Sequence, residues 1–357
     1  MLRRNFALAA PATIAALSAG VTSASAQTQN FVYANPLSRG HFQFGVLADE
    51  WIAAVQRVTD GRVRIRHVPG GSLLRIENMI EGLRSGVADA GSTNIAASAR
   101  QLPIVATLAG TADVMLGNQL DTVGLAAVFQ RLLAEFPQIT KEFDDIGLVP
   151  VVWVPAFTFA IMSRTPVATL ADLQGKKIRA FGPNLPRLLA AAGMTPLSVA
   201  ASEIYTSLQT GVIDAAFTTP AAMYSQRWYE QGRHILTTGP RWGAQVLGIG
   251  DGYFFNRDSW NRISASDREA ITRVSREFTL IAGRRMQEDG ENSLREMQSR
   301  GCTVQHLSDA ETAELARRAG DFTQVAAEAI NGFGGPGTAI MARYRQLVAD
   351  YAAGRLG

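Results

Sequence analysis

The chain has 357 residues, 47% of them hydrophobic, and a formal net charge of +3. That length exceeds the about 250–300 residues at which a single core stops growing, so two lobes are expected. Its basic residues are scattered and carry no recognition motif, which argues against a nucleic-acid partner, and the single cysteine, Cys302, excludes an internal disulfide.

Residues 1–26 read as a cleavable export signal: Arg3 and Arg4, an apolar stretch to about Val21, then Ala24-Ser25-Ala26 ahead of Gln27. The run Arg3-Arg4-Asn5-Phe6 also fits a twin-arginine signal, so either export route is open and a periplasmic location is expected. Without the leader the balance is 32 basic to 31 acidic residues, or +1. No later run of about 18 uncharged apolar residues occurs, so the mature protein is expected to be soluble.

A strand is expected from Phe31 to Ala34 and a helix from about His41 to Val58, stopped at Asp60-Gly61. A second strand follows over Arg62–Val68, closed by Pro69-Gly70-Gly71, and a helix over Ile76–Ser85. Ala88–Ser92 reads as a strand, and Thr122–Phe143 as helical around a break at Pro137. Strands are expected again at Leu148–Val154 and Phe157–Ser163. This alternation predicts α/β architecture with a mostly parallel sheet in each lobe.

Ser264-Ala265-Ser266-Asp267 resembles a capping box, and helix-compatible sequence runs from there to Arg300. A helix of that length, about 55 Å, must span both lobes unless Gly283 or Gly290 breaks it. Gly332-Phe333-Gly334-Gly335-Pro336-Gly337 satisfies GxGxxG but lies between helical stretches, so it reads as a turn and not a dinucleotide site. The expected lobes are residues 27–155 with 245–283, and residues 156–244 with 284–357, the C-terminal helices belonging to the second.

The most informative stretch runs from Ala168 to Thr219. Lys176–Phe181 reads as a short strand followed by Gly182-Pro183-Asn184, which puts Arg179 at a strand's end. Ligands gather at the carboxyl ends of strands in α/β sheets, and a guanidinium fits a carboxylate bidentately. The alternative is a structural arginine paired with Asp172 or Glu203. Residues 202–211 then read as a helix stopped by Gly211, and residues 212–217 as the next strand.

Asp172, Leu173, Gly175, Lys177, Ile178 and Arg179 fit the pattern DLxGxKIR, and Glu203, Tyr205, Leu208, Gln209, Gly211 and Asp214 fit ExYxxLQxGxxD. These paired patterns resemble those of the solute-binding proteins of tripartite ATP-independent periplasmic (TRAP) transporters, dicarboxylate-receptor (DctP) type. The likeness extends to Gly61-Arg62-Val63, Leu83-Arg84-Ser85-Gly86, Trp228-Tyr229-Glu230 and Phe255-Asn256, covering nearly all of the mature chain.

The resemblance implies a two-lobed periplasmic-binding-protein-like (type II) fold with hinge strands and one long lobe-spanning helix. It implies capture of a small organic carboxylate by lobe closure, delivery to integral-membrane TRAP permease subunits, and Arg179 as the carboxylate clamp. The family's asparagine beyond QxGxxD falls on Thr218 or Thr219. A second arginine common in the family falls on Phe159, so a charge is replaced by a ring. That departure, with Trp153, Phe157, Phe181, Phe217, Tyr224 and Trp242, points to a monocarboxylate, with an apolar or aromatic body as one possibility; the alternative is that these rings are core.

In the first lobe, Asn35, His41, Arg75 and Asn94 match positions that face the family's cleft, although His41 also reads as a helix-start residue. The four histidines are too dispersed for metal-ligand spacing, and no cofactor is expected. Part of the family bridges ligand and protein with a cation, which the sequence leaves open. No nucleophile elbow, zinc-protease helix or P-loop lysine is present, so an enzyme is not expected. A periplasmic sensor docking to a receptor would present the same binding lobes. The stretch from Thr338 to Gly357 is compatible with packing on its own lobe or with dimerisation by swapping.

Overall fold

The computed structural model describes residues 28–95, 98–109, 111–112, 120–155, 159–180, 185–237, 246–247 and 249–356. The expected export signal lies outside these residues. The strands are β1 (Gln29–Ala34), β2 (Val63–Val68), β3 (Ala90–Asn94), β4 (Thr111–Ala112), β5 (Leu148–Pro155), β6 (Ala160–Ser163), β7 (Lys177–Ala180), β8 (Thr195–Ser198), β9 (Ala215–Thr218), β10 (His234–Thr237), β11 (Val246–Leu247), β12 (Ile249–Asn256) and β13 (Thr303–His306). The α-helices are α1 (Leu47–Val58), α2 (Met79–Arg84), α3 (Pro103–Ala109), α4 (Thr122–Glu135), α5 (Pro137–Asp145), α6 (Leu185–Ala191), α7 (Ile204–Thr210), α8 (Pro220–Ser225), α9 (Arg257–Arg262), α10 (Ala265–Ser299), α11 (Asp309–Ala319), α12 (Phe322–Gly332) and α13 (Gly337–Ala352).

Two sheets define two lobes. The first has the order β2-β1-β3-β12-β5 and the second β13-β10-β6-β9-β7-β8. Parallel pairs such as β1–β2 and β7–β8 coexist with antiparallel ones, because β12 returns between β3 and β5, and β6 lies between β10 and β9. Each sheet is buried on both faces. In the first lobe Phe31, Tyr33, Tyr253 and Phe255 cluster with Trp51 of α1 on one side. On the other side Trp153, Phe143 and Phe254 pack under α4 and α5.

α10 is a single 35-residue helix capped by Ser264, whose hydroxyl accepts from the Asp267 amide at 3.1 Å. At 1.5 Å per residue it is about 52 Å long. Its first half carries Ile271, Phe278 and Ala282 into the first lobe's core, and its last turns carry Leu294 and Met297 into the second lobe's. Gly283 does not break it; a Cβ there would come within 3.0 Å of the Thr122 carbonyl, so this glycine allows α4 to approach closely.

One expected boundary is corrected. The C-terminal helices are not confined to the second lobe: Ala326, Ile330, Ile340, Met341, Tyr344, Leu347 and Val348 of α12 and α13 belong to the first lobe's core. In the second lobe's core stand Leu315 and Ala319 of α11 and Phe322, the first residue of α12. Tyr351 seals the arrangement: its ring lies against Gly124, and its hydroxyl donates to Asp121 at 2.8 Å. The apolar stripe at 340, 341, 344, 347 and 348 is readable in sequence, but it does not say which lobe it covers. The Gly332–Gly337 motif is the turn between α12 and α13.

Candidate functional site

Most of the long motif around Arg179 is scaffold. Asp172 accepts from the Ala168 and Thr169 amides, each at 2.9 Å, and closes the turn before β7. Asp214 accepts from the Lys177 amide at 2.9 Å and fastens β7 beside β9. Tyr205 donates to Glu230 at 3.1 Å and accepts from Gln231 at 3.0 Å. Gly211 ends α7 with φ +78°, a left-handed conformation that disfavours residues with a Cβ.

Arg179 is held on this scaffold between β8 and β9, opposite Leu197 and Ala216. Its Nε donates to the Val199 carbonyl at 3.3 Å and its Nη1 to the Phe217 carbonyl at 3.4 Å. Burial pulls its pKa down to about 10, so the group remains cationic at neutral pH but carries a desolvation penalty that an anion would relieve.

Thr218 lies two residues beyond Ala216, on the face that Arg179 shares, and is 5% exposed. Thr219 caps α8, its hydroxyl accepting from the Ala222 amide at 3.3 Å. The structure therefore gathers Arg179, Thr218 and Thr219 at the carboxyl ends of adjacent parallel strands β7 and β9. Among the described rings, Phe159, Phe217 and Trp153 do not join them. Phe217 alternates to the opposite face, where it is buried and stacks on Phe159 with centroids 5.5 Å apart and planes 13° from parallel. Phe181 lies outside the described residues, as do Phe157 and Trp242.

The first-lobe candidates divide similarly. Asn35 is buried and fully engaged: its Oδ1 accepts from the Leu37 amide at 2.8 Å, and its Nδ2 lies 3.0 Å from His67 Nε2. His67 continues the network to Asp49, which pairs with Arg39. His41 caps a π-helical turn over Phe42–Val46 through the Phe44 amide, and burial lowers its pKa. Trp153 is core, packed edge-on against Phe129 and Phe143. Arg75 is exposed. Asn94 ends β3, where its Nδ2 donates to the Gly250 carbonyl at 2.9 Å and Asp251 Oδ1 at 3.2 Å.

Asp251 is the notable group that sequence reasoning missed. It is 2% exposed on β12, just after the register shift that follows Ile249, and burial pushes its carboxyl up to about 7 against the opposing Asn94 contact. The signal was present as one acid in the otherwise apolar and small run of β12. Among the described residues no group of three or more His, Cys, Asp or Glu side chains is placed to hold a metal ion, and no helix is long and apolar enough to cross a membrane.

The profile of bacterial extracellular solute-binding protein family 7, DctP, matches residues 33–328. The chain belongs to this family. Among individual relatives, a solute-binding protein of Albidiferax ferrireducens is 22% identical over 317 residues, covering 86% of this chain and 89% of its own length. A TRAP periplasmic solute-binding protein from Desulfovibrio salexigens superposes with a TM-score of 0.78 at 23% identity, covering 90% of this chain and 96% of that one. Another from Rhodoferax ferrireducens, in complex with copurified benzoate, gives 0.75 at 18% identity over 91% and 99% of the two chains. The two-lobed fold is thus that of the TRAP periplasmic binding proteins, and the family serves transport.

Proposed function

We propose that this DctP-family protein is exported by its first 26 residues, captures a small organic monocarboxylate between its lobes and delivers it to an integral-membrane permease. The observation that carries the reading is Arg179, a desolvated cation at the end of β7 with Thr218 and Thr219 beside it. A carboxylate offers the bidentate partner whose charge offsets that desolvation. Phe159 supplies no second cation at the position where many relatives carry one, which favours one carboxylate over two. An aromatic ligand body draws its support from the benzoate-bound relative and not from Phe159 and Phe217, which pack into the core. No catalytic step or cofactor enters this reading.

The test is a thermal-shift screen of the purified protein against mono- and dicarboxylates, repeated with Arg179→Ala and Arg179→Lys. A ligand at one hundred times its Kd contributes about 2.7 kcal/mol. Arg179→Ala should abolish that stabilisation while the unliganded melt persists, and Arg179→Lys should recover only part of it because the fork is lost. Undiminished stabilisation of Arg179→Ala would remove the clamp from the mechanism.

A further inference from the structure

The first lobe carries a concavity to which no residue of the second lobe's sheet contributes. It is a half-open recess of about 540 Å³ that lies along β5, the outer strand of its sheet. Trp153, Val149 and Val151 from β5 line it, with Ala127 of α4, Trp260 of α9 and Leu280 of α10. Gln130 braces it by donating from Nε2 to the Arg276 carbonyl at 2.6 Å, tying α4 to α10. Thr279 fixes another wall, accepting from the Trp153 amide and donating to the Ser275 carbonyl.

Its electrostatics have one sign. Arg131 and Arg276 both line the cavity, and no aspartate or glutamate does. Arg131 is paired with Glu135 at 2.9 Å, whereas Arg276 makes no ion pair among the described residues. Small-ligand sites enclose about 300–1,000 Å³, are mostly apolar and carry a few oriented polar groups, a description this cavity meets.

We propose that this cavity is a second small-molecule site, separate from Arg179, for an amphiphilic monocarboxylate. The apolar body would lie on Trp260, Val151 and Leu280, with the carboxylate at Arg276. A flat partner surface would not need a recess, and a cationic amphiphile would meet the Arg276 guanidinium.

Decanoate, kept below its micelle concentration, is the probe. Calorimetric titration and tryptophan fluorescence would be run on the wild type, on Arg179→Ala, and on Arg276→Glu and Ala127→Trp made in the Arg179→Ala background. Arg179→Ala should retain one equivalent of decanoate with a change in fluorescence, because Trp153 and Trp260 line the cavity. Arg276→Glu should weaken that event at least roughly ten-fold, the loss expected for one charged hydrogen bond. Ala127→Trp, which fills the space, should remove it; Arg276→Glu changes an exposed side chain and keeps the test valid should the filled variant misfold. Loss of all decanoate binding in Arg179→Ala, binding indifferent to the cavity substitutions, or equal binding of decyltrimethylammonium would each overturn the proposal.

Discussion

At the scale of single residues, the sequence pattern located Arg179 correctly on its strand, but it did not show that its companions in the motif are mainly builders of the strand's surroundings. Asp172, Tyr205, Gly211 and Asp214 serve turns, a helix stop and strand attachment. The aromatic candidates were less legible because strand alternation, not residue type, decides which face a ring takes. Phe159→Leu should therefore cost about 1 kcal/mol of stacking and leave the ranking of mono- over dicarboxylates unchanged in the thermal-shift screen. A reversed ranking would place that position against the ligand. Asp251 gives a second prediction. Its folded pKa, about 7, lies above the usual 3.8, so the folded state holds a proton that the unfolded chain has already released between those values. Its contribution is unpenalised below about pH 4, declines as pH rises and levels off above about 7, with an upper bound of about 4 kcal/mol. Asp251→Asn should remove that decline, so urea melts at pH 5 and pH 8 should show the variant gaining on the wild type at the higher pH. An equal difference at both would mean that Asp251 titrates normally.

At the scale of elements, α10 was legible in extent because its cap and its helix-compatible composition are local signals. Its straight passage through Gly283 was not, because the glycine answers to a neighbouring helix rather than to its own. Gly283→Leu would drive a side chain against the Thr122 carbonyl and the Val123 backbone, with an overpacking penalty of typically about 1–3 kcal/mol. The expected outcome is a lower melting temperature, with ligand stabilisation retained in whatever fraction folds. An unchanged melt would show that α4 can step aside. The short elements mark where local reading was weakest: the helix expected from His41 begins as a π-helical turn, and that expected from Ile76 as a 3-10 turn. In both cases packing tightened or loosened a turn whose residues fit an ordinary helix.

At the scale of the whole molecule, the two lobes were legible from chain length and from alternating strands and helices, whereas the allegiance of the tail was not. Closure is a shift between open and closed populations, and ligand favours the form it binds more tightly. Because α10 is packed in both cores, the proposed closure would have to shift its contacts with one of them. A stabilising carboxylate should reduce the radius of gyration measured by small-angle X-ray scattering, and Arg179→Ala should not respond. A ligand that stabilises without compaction would argue for capture on an already closed form.

The placement of α12 and α13 also sets an order of events when the chain first acquires its structure. Tyr33 and Ala34 come from its opening strand, while Tyr344, Leu347 and Val348 come from its last helix, and both ends belong to the same lobe. That lobe is therefore assembled from distant stretches of chain, whose closure must be paid before the contacts are gained. The second lobe, apart from β13, α11 and the end of α10, is drawn from one continuous stretch and can begin to form while the first still waits for its final helices. A nascent chain halted before Gly337 would thus leave the apolar faces of α4 and α12 uncovered, and its earliest-made part would be the last to mature.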